Sequence, residues 1–315
     1  MMTTVTIIVP TFNRAETARR AVQSALNQSH QDLEVVVIDD CSTDDTEALI
    51  GTIGDNRLRY IRQSQNTNMP ASWDAGLHQA RGEFIAFLGD DDFLLPDFVA
   101  HRVAAFQEDP ALAAVFGRHQ RMHVGTDAAP WVPQEGWTIA TADCAAALGA
   151  ALTTDWFITS TMYRRERMLR PWRAAQNDGF VFDVGLNARI ILGNHGGVRF
   201  IPDQDVVVSV HNKQVSATKG ELMLQQKATL METLLAARPT PALARAIRNE
   251  IAEWHVTWGR ALIRAGDLPA ARRHFMIAAA ARPLRRHTWM QFAKSYIVSL
   301  PMGRRFVAEA PMERS

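Results

Sequence analysis

Four short apolar runs punctuate the N-terminal part of the chain: Val5-Thr6-Ile7-Ile8-Val9, Leu33-Glu34-Val35-Val36-Val37-Ile38, Leu58-Arg59-Tyr60-Ile61 and Phe84-Ile85-Ala86-Phe87-Leu88. Each is too short for a helix and carries branched or aromatic side chains, the pattern of a buried strand. The third is the weakest. Pro10 closes the first and Gly89 stops the fourth. Between them, residues 16–25 place Ala18, Val22 and Ala25 on one helical face with Leu26, and residues 46–53 and 69–80 also read as helices. Strands that alternate with helices need crossover connections. The predicted fold class is therefore α/β, with a mostly parallel central sheet flanked by helices.

Carboxylates end two of these strands: Asp39-Asp40 after the second, and Asp90-Asp91-Asp92 after the fourth. Three like charges side by side repel, so they gather where a cation sits among them or where water is plentiful. Hard divalent cations take oxygen ligands, and Mg²⁺ is usually held by one or two carboxylates plus substrate phosphates. In open α/β sheets, ligands bind beyond the carboxyl ends of the strands. The plainer reading is an acidic, solvated turn that caps the next helix, and for Asp39-Asp40 a turn and a helix cap. No GxGxxG follows the first strand and no GxxxxGK[ST] occurs anywhere, so the dinucleotide and P-loop cradles are excluded.

Composition narrows the partners. At 315 residues the chain suggests one large domain or two. A net charge of +1 gives no basic field for nucleic acid, so none is expected as a partner. Cys41 and Cys144 lie far apart with no metal or redox spacing, which fits a reducing compartment. No signal-peptide pattern opens the chain, and no run approaches the roughly 18–20 apolar residues that span a bilayer. The expected location is cytoplasmic.

Further along, residues 98–108 read as a helix and Ala113–Gly117 as a strand. Residues 122–140 read as a loop, in which Trp131 and Trp137 either stack on a sugar or pack on the core. Residues 157–165 read as a strand that runs into an Arg-Arg turn. Residues 184–192 form a helix that Asp183 could cap, and 198–202 and 206–210 form two short strands before His211. Beyond Ser216 the pattern becomes helical, over 221–237, 241–265 and 270–281, with a tetratricopeptide-like helix pair. A single such pair cannot make a solenoid. The last helix, 287–300, carries Trp289, Phe292, Tyr296, Ile297 and Leu300, flanked by Arg282, Arg285, Arg286, Arg304 and Arg305. It is either a peripheral contact with anionic lipid or a terminal helix packed on its neighbours. The expected domains are 1–216 and 217–315.

Four segments, TIIVPTFNR (Thr6–Arg14), LNQS (Leu26–Ser29), LEVVVIDDCSTDDT (Leu33–Thr46) and GEFIAFLGDDDFLLP (Gly82–Pro96), resemble glycosyltransferase family 2 in order and spacing. They cover about the first third of the chain. The resemblance implies a GT-A, Rossmann-like sheet with a C-terminal helical extension. It also implies inverting transfer of a sugar from a nucleotide-diphosphate sugar to a glycan or lipid-linked acceptor. The expected setting is bacterial surface polysaccharide or glycan synthesis, at the inner face of the membrane. The same resemblance puts Pro10, Thr11, Asn13, Arg14, Asp39, Asp40, Asn66 and Asp90 on the donor. It puts Asp91 and His211 on Mg²⁺ or Mn²⁺, with Lys213 and Ser216 facing the phosphates, and makes Asp183 the base, with Asp178 and Asp155 as rivals. Three positions depart from the family pattern: Gly89 and Phe182 stand where acidic residues are common, and Trp73 stands in place of an Arg. A nucleotidyltransferase and a non-catalytic nucleotide-sugar-binding protein are the alternatives.

Overall fold

The computed structural model describes residues 5–67, 69–123, 144–153, 158–193, 197–210, 220–283 and 286–297. The chain divides into two compact units, Met1–Leu230 and Met231–Ser315. The first opens with β1 (Val5–Thr11), α1 (Ala15–Leu26), β2 (Leu33–Asp39), α2 (Thr46–Gly51), β3 (Leu58–Arg62), α3 (Met69–Gln79) and β4 (Phe84–Phe87). Strands β3, β2, β1 and β4 lie side by side in parallel, as the alternating pattern predicts. The Val and Ile side chains of β1, β2 and β4 are fully buried, those of β3 only partly, and Ala18, Ala21, Val22 and Ala25 of α1 pack into the same core. Pairing of β1 with β4 ends at Ile8↔Phe87, so Pro10, which has no N–H to give, lies beyond it.

The sheet then continues through β5 (Phe93–Leu94), α4 (Phe98–Glu108), β6 (Leu112–His123), α5 (Cys144–Thr153), β7 (Thr161–Arg164), α6 (Arg165–Ala175), α7 (Phe182–Leu192) and β8 (Gly197–Val210). The strand order is β3-β2-β1-β4-β7-β6-β8-β5. Strand β7 runs antiparallel to both β4 and β6, so its first residue, Thr161, comes to the end of β4 that carries Asp90–Asp92. Where the pattern suggests two short strands over 198–210, the structure has one. The pairing of β6 with β8 jumps from Gly117↔Ile201 to His119↔Val206, and this bulge absorbs the segment around Pro202 without ending the strand.

Helix α3 presses hard on the sheet. A Cβ on Gly76 would stand 2.2 Å from Cγ2 of Ile8 and 3.3 Å from Cγ1 of Ile38. On helix propensity alone, Gly76→Ala should gain about 1 kcal/mol. The β-branched Ile8, fixed in a central strand, has no room to yield, and overpacking of this kind costs ~1–3 kcal/mol. Gly76→Ala is expected to lower the urea midpoint; a raised midpoint would show that α3 stands further from β1 than the structure has it.

The second unit is helical. Leu230 lies within α8 (Gly220–Ala236), which α9 (Pro241–Ala265), α10 (Leu268–Ala281) and α11 (Arg286–Ile297) follow. Thr240 caps α9, and Asp267 caps α10 by accepting from the Ala270 N–H at 3.0 Å. Gly266 supplies the left-handed turn between them at φ 85°. Ala252, Val256, Ala271, Phe275 and Ala278 form the core of this helix pair. No helix among the described residues is long and apolar enough to cross a membrane.

Candidate active site

The polar cluster assembles beyond the carboxyl ends of β1, β2 and β4, where parallel strands leave unpaired backbone and room for a ligand. Thr11 pairs with Asp39 at the top of β1 and β2, and the Asp40 N–H donates to the Thr11 carbonyl at 2.9 Å. Two residues just past the strand ends, Asn13 (φ 52°) and Cys41 (φ 68°), are left-handed. Such strain persists only when the surroundings hold it, and it clusters at working sites. The surroundings here are plain. Asn13 Oδ1 accepts from the Thr43 N–H at 2.7 Å, and the Asn13 N–H donates to the Ser42 hydroxyl at 2.9 Å.

The two carboxylates after β2 are knitted into this loop. Asp39 is fully buried; its Oδ1 accepts from the Ser42 N–H at 2.9 Å and hydroxyl at 2.5 Å, and its Oδ2 accepts from the Tyr60 hydroxyl. Burial and the neighbouring Asp39 push the Tyr60 phenol well above its ordinary pKa, so it stays a donor. Asp40 holds the segment after β3. It accepts from the Thr67 N–H at 2.9 Å, from the Thr67 hydroxyl at 2.9 Å and from Gln63 Nε2 at 3.1 Å, while Asn66 donates to the Asp40 carbonyl at 3.2 Å. Asn66 thus meets Asp40 through the backbone.

The acidic turn after β4 is organised around arginines. Arg14 Nη1 donates to Asp90 Oδ1 at 3.0 Å and to Asp91 Oδ2 at 2.7 Å. Burial works against the charge on Arg14, but the two carboxylates outweigh it and hold the guanidinium above its ordinary pKa. Burial pushes Asp90 up to about 6 against the pull of Arg14. Arg20 Nη2 donates to the Asp91 carbonyl at 2.8 Å, and the Ser209 hydroxyl donates to the same carbonyl at 2.5 Å. The Ser209 N–H donates to Asp92 Oδ1 at 2.9 Å. Arg20 and Ser209 escaped the sequence reading because an Arg on an exposed helix face and a Ser within a strand carry no local signal.

Asp92 is buried, and burial with the adjacent Asp91 pushes its pKa up to about 8. It is mostly protonated at neutral pH, which spares the turn a third negative charge. Because the folded value lies above the ordinary 3.8, the folded state binds the extra proton. The associated stability is complete below pH ~4 and is lost as pH rises towards 8. Asparagine keeps the acceptor for Ser209 and never ionises. Asp92→Asn is expected to raise the melting temperature at pH 8 by about 2–4 °C, with no difference at pH 4; an equal or lower value at pH 8 would mean that Asp92 is ionised and compensated.

Asp183 lies in the first turn of α7, two residues past the N-cap, which is Val181. Its Oδ1 accepts from the Val184 N–H at 2.8 Å, and burial pushes its pKa up to about 6. A column of aromatic rings ties this turn to β4. Phe87 stacks on Trp172 of α6 at 4.9 Å, and Trp172 meets Phe182 edge-on at 5.7 Å. Trp172 Nε1 donates to Asp74 Oδ1 at 2.8 Å, and the buried Tyr163 hydroxyl of β7 donates to Asn187 Oδ1 of α7 at 2.7 Å. Residues adjacent to Asp183 and three before Asp90 therefore belong to one rigid stack. Asp178, the nearer rival, is paired with Arg189. The left-handed Gly179 (φ 67°) turns the chain between it and α7, and the next N–H, of Phe180, donates to Gln226 Oε1 at 2.8 Å. Asp155, Trp131, Trp137, His211, Lys213 and Ser216 lie outside the described residues.

No group of three or more His, Cys, Asp and Glu among the described residues is arranged to hold a metal ion. What fits one is the pair Asp90 and Asp91, whose oxygens already converge on a single cationic nitrogen. One or two carboxylates completed by phosphate oxygens is the way Mg²⁺ is usually bound.

Residues 6–158 match the Glycosyl transferase family 2 model. Over 93 residues the chain is 45% identical to the succinoglycan biosynthesis protein ExoO of Rhizobium meliloti, covering 30% of this chain and 27% of that protein. Over 97 residues it is 41% identical to a GalNAc(5)-diNAcBac-PP-undecaprenol beta-1,3-glucosyltransferase of Campylobacter jejuni, covering 30% of this chain and 31% of that one. The match thus spans under a third of each of these two relatives. Among solved structures, S. aureus TarS 1–349 in complex with UDP-GlcNAc superposes with a TM-score of 0.65 at 16% identity, over 99% of this chain and 93% of that one. The mannosyltransferase PcManGT of Pyrobaculum calidifontis, in complex with GDP-Man and Mn²⁺, gives 0.59 at 20% identity, over 96% and 83%. These likenesses establish the fold.

Proposed function

We propose that this chain, a member of glycosyltransferase family 2 through its residues 6–158, transfers a sugar from a nucleotide-diphosphate sugar to an acceptor hydroxyl, with inversion at the anomeric carbon. The process it serves is the building of a bacterial surface polysaccharide or related glycan, at the cytoplasmic face of the membrane. The acceptor is a glycan or a lipid-linked sugar, the class on which the Campylobacter relative acts by its name. One observation carries the reading. A half-buried acidic turn, clamped by Arg14 and Arg20, stands beyond the carboxyl ends of parallel strands whose own loops are held by Asp39 and Asp40.

In this reading Pro10, Thr11, Asn13, Asp40 and Asn66 line the base and ribose, and Asp39 keeps their loop in shape. Asp90 turns to the ribose side and Asp91 to the diphosphate. Asp90 and Asp91 would hold Mg²⁺ or Mn²⁺, with His211 as a further ligand, and the ion would neutralise the leaving diphosphate. Asp183 removes the acceptor proton, and a pKa near 6 suits a base that works at neutral pH. Tyr163 and Asn187 hold its helix against β7. A nucleotidyltransferase would normally bring a Gly- and Lys/Arg-rich phosphate loop after β1, and Pro10–Arg14, with no Gly and a single Arg, is not one. The test is release of nucleoside diphosphate from a panel of nucleotide sugars with Mn²⁺, and assignment of the anomeric configuration of any product by NMR. Metal-dependent release from one donor supports the reading. No release from any donor, with candidate acceptors present, moves it to the non-catalytic alternative.

A further inference from the structure

Asp90 Oδ1 and Asp91 Oδ2 face one atom, Arg14 Nη1, at 3.0 and 2.7 Å. Two carboxylates that share one positive centre is the arrangement a divalent cation makes. The guanidinium has a way out, because the Arg14 side chain is 33% exposed while those of Asp90 and Asp91 are at 12% and 19%. Nor does the turn depend on it for shape. Arg20 and the Ser209 hydroxyl hold the Asp91 carbonyl, and the Ser209 N–H holds Asp92. Arg14 can therefore leave without unfolding what it is bound to.

We propose that the Arg14 guanidinium occupies the cation position in the donor-free protein, and competes with the divalent metal for Asp90 and Asp91 until the donor's diphosphate draws it away. The inference rests on the glycosyl-transfer reading, which supplies the diphosphate and the metal. A guanidinium binds phosphate oxygens bidentately, so a diphosphate beside the turn offers Arg14 a partner that replaces the two carboxylates. Until then, a fixed positive charge within hydrogen-bond distance of both carboxylates opposes any second cation there. Metal and donor then bind as a pair, each raising the affinity of the other by the same factor.

The experiment titrates Mn²⁺ alone, without nucleotide, and reads free Mn²⁺ by electron paramagnetic resonance. It compares wild type, Arg14→Gln, Arg14→Met and Arg14→Lys. Wild type is expected to bind weakly. Both neutral variants are expected to bind roughly tenfold tighter or more, since the competing charge is gone. Arg14→Lys, which keeps the charge, should stay near wild type. Mn²⁺ should also raise the melting temperature of the neutral variants more than that of wild type. The proposal is overturned if a folded neutral variant binds within twofold of wild type, if Arg14→Lys tightens as much as Arg14→Gln, or if wild type alone saturates at low-micromolar Mn²⁺. The last outcome needs no variant, so the proposal can be overturned even where a variant fails to fold. Nucleotide is absent from every arm, so failure here leaves the donor reading to be judged by donor release.

Discussion

Asp91→Asn is expected to reduce kcat/KM for sugar transfer by about a thousandfold and to abolish its dependence on Mn²⁺. In the proposed mechanism Asp91 is the carboxylate that faces the diphosphate and would hold the metal ion. Its removal leaves the diphosphate charge uncompensated as the bond breaks, an effect specific to the transition state. The substitution is nearly isosteric, and the turn keeps its other clamps, since Arg20 and Ser209 hold the Asp91 carbonyl and not its side chain. The protein should remain folded. Near-wild-type turnover in Asp91→Asn would remove the carboxylate from the chemistry and hand the diphosphate to the arginines alone.

Asp183→Asn should lower kcat by about a hundredfold to ten-thousandfold, the range for loss of a general base, while nucleotide affinity stays within about twofold. The pH profile gives a second, independent reading. A base must be ionised to act, and burial places this carboxyl at about 6. The wild-type rate should therefore climb with pH up to about 6 and level off above it, and in Asp183→Asn this limb should vanish from whatever residual activity remains. Loss of nucleotide binding in the variant, or a wild-type limb that persists in it, would assign the base elsewhere. Asp178 would then be a poor replacement, because it is committed to Arg189.

The parallel half of the sheet was legible because β1, β2 and β4 are buried on both faces, and a strand buried that way writes itself as an unbroken branched run. The carboxylates after β2 and β4 were legible for a related reason: so many like charges at strand ends demand an account. Their partners were not. Tyr60 reaches Asp39 from β3, and Thr67 and Gln63 reach Asp40 from the segment after it, through contacts that no local pattern announces. Helix α6 was missed because four arginines and Pro171 mask a buried face of Met168, Pro171, Trp172 and Ala175 at helical spacing. The two-residue β5 exists only because β8 pairs with it. The protonation of Asp92 is a consequence of burial, which sequence does not carry. The aromatic column through Phe87, Trp172 and Phe182, which sets Asp183 relative to the acidic turn, joins residues from β4, α6 and α7 and could only be seen folded.

The central claim is a nucleotide-diphosphate site at Thr11, Asp40, Asp90 and Asp91. Thermal melting of the purified protein against UDP, GDP, CDP, ADP and dTDP, each with and without Mn²⁺, tests it most directly, because a ligand that binds only the native state raises the melting temperature by mass action. The account predicts that one of these nucleotides shifts the transition, that Mn²⁺ enlarges the shift, and that Asp91→Asn erases the enlargement. A cooperative transition that none of them moves, with or without metal, would contradict it.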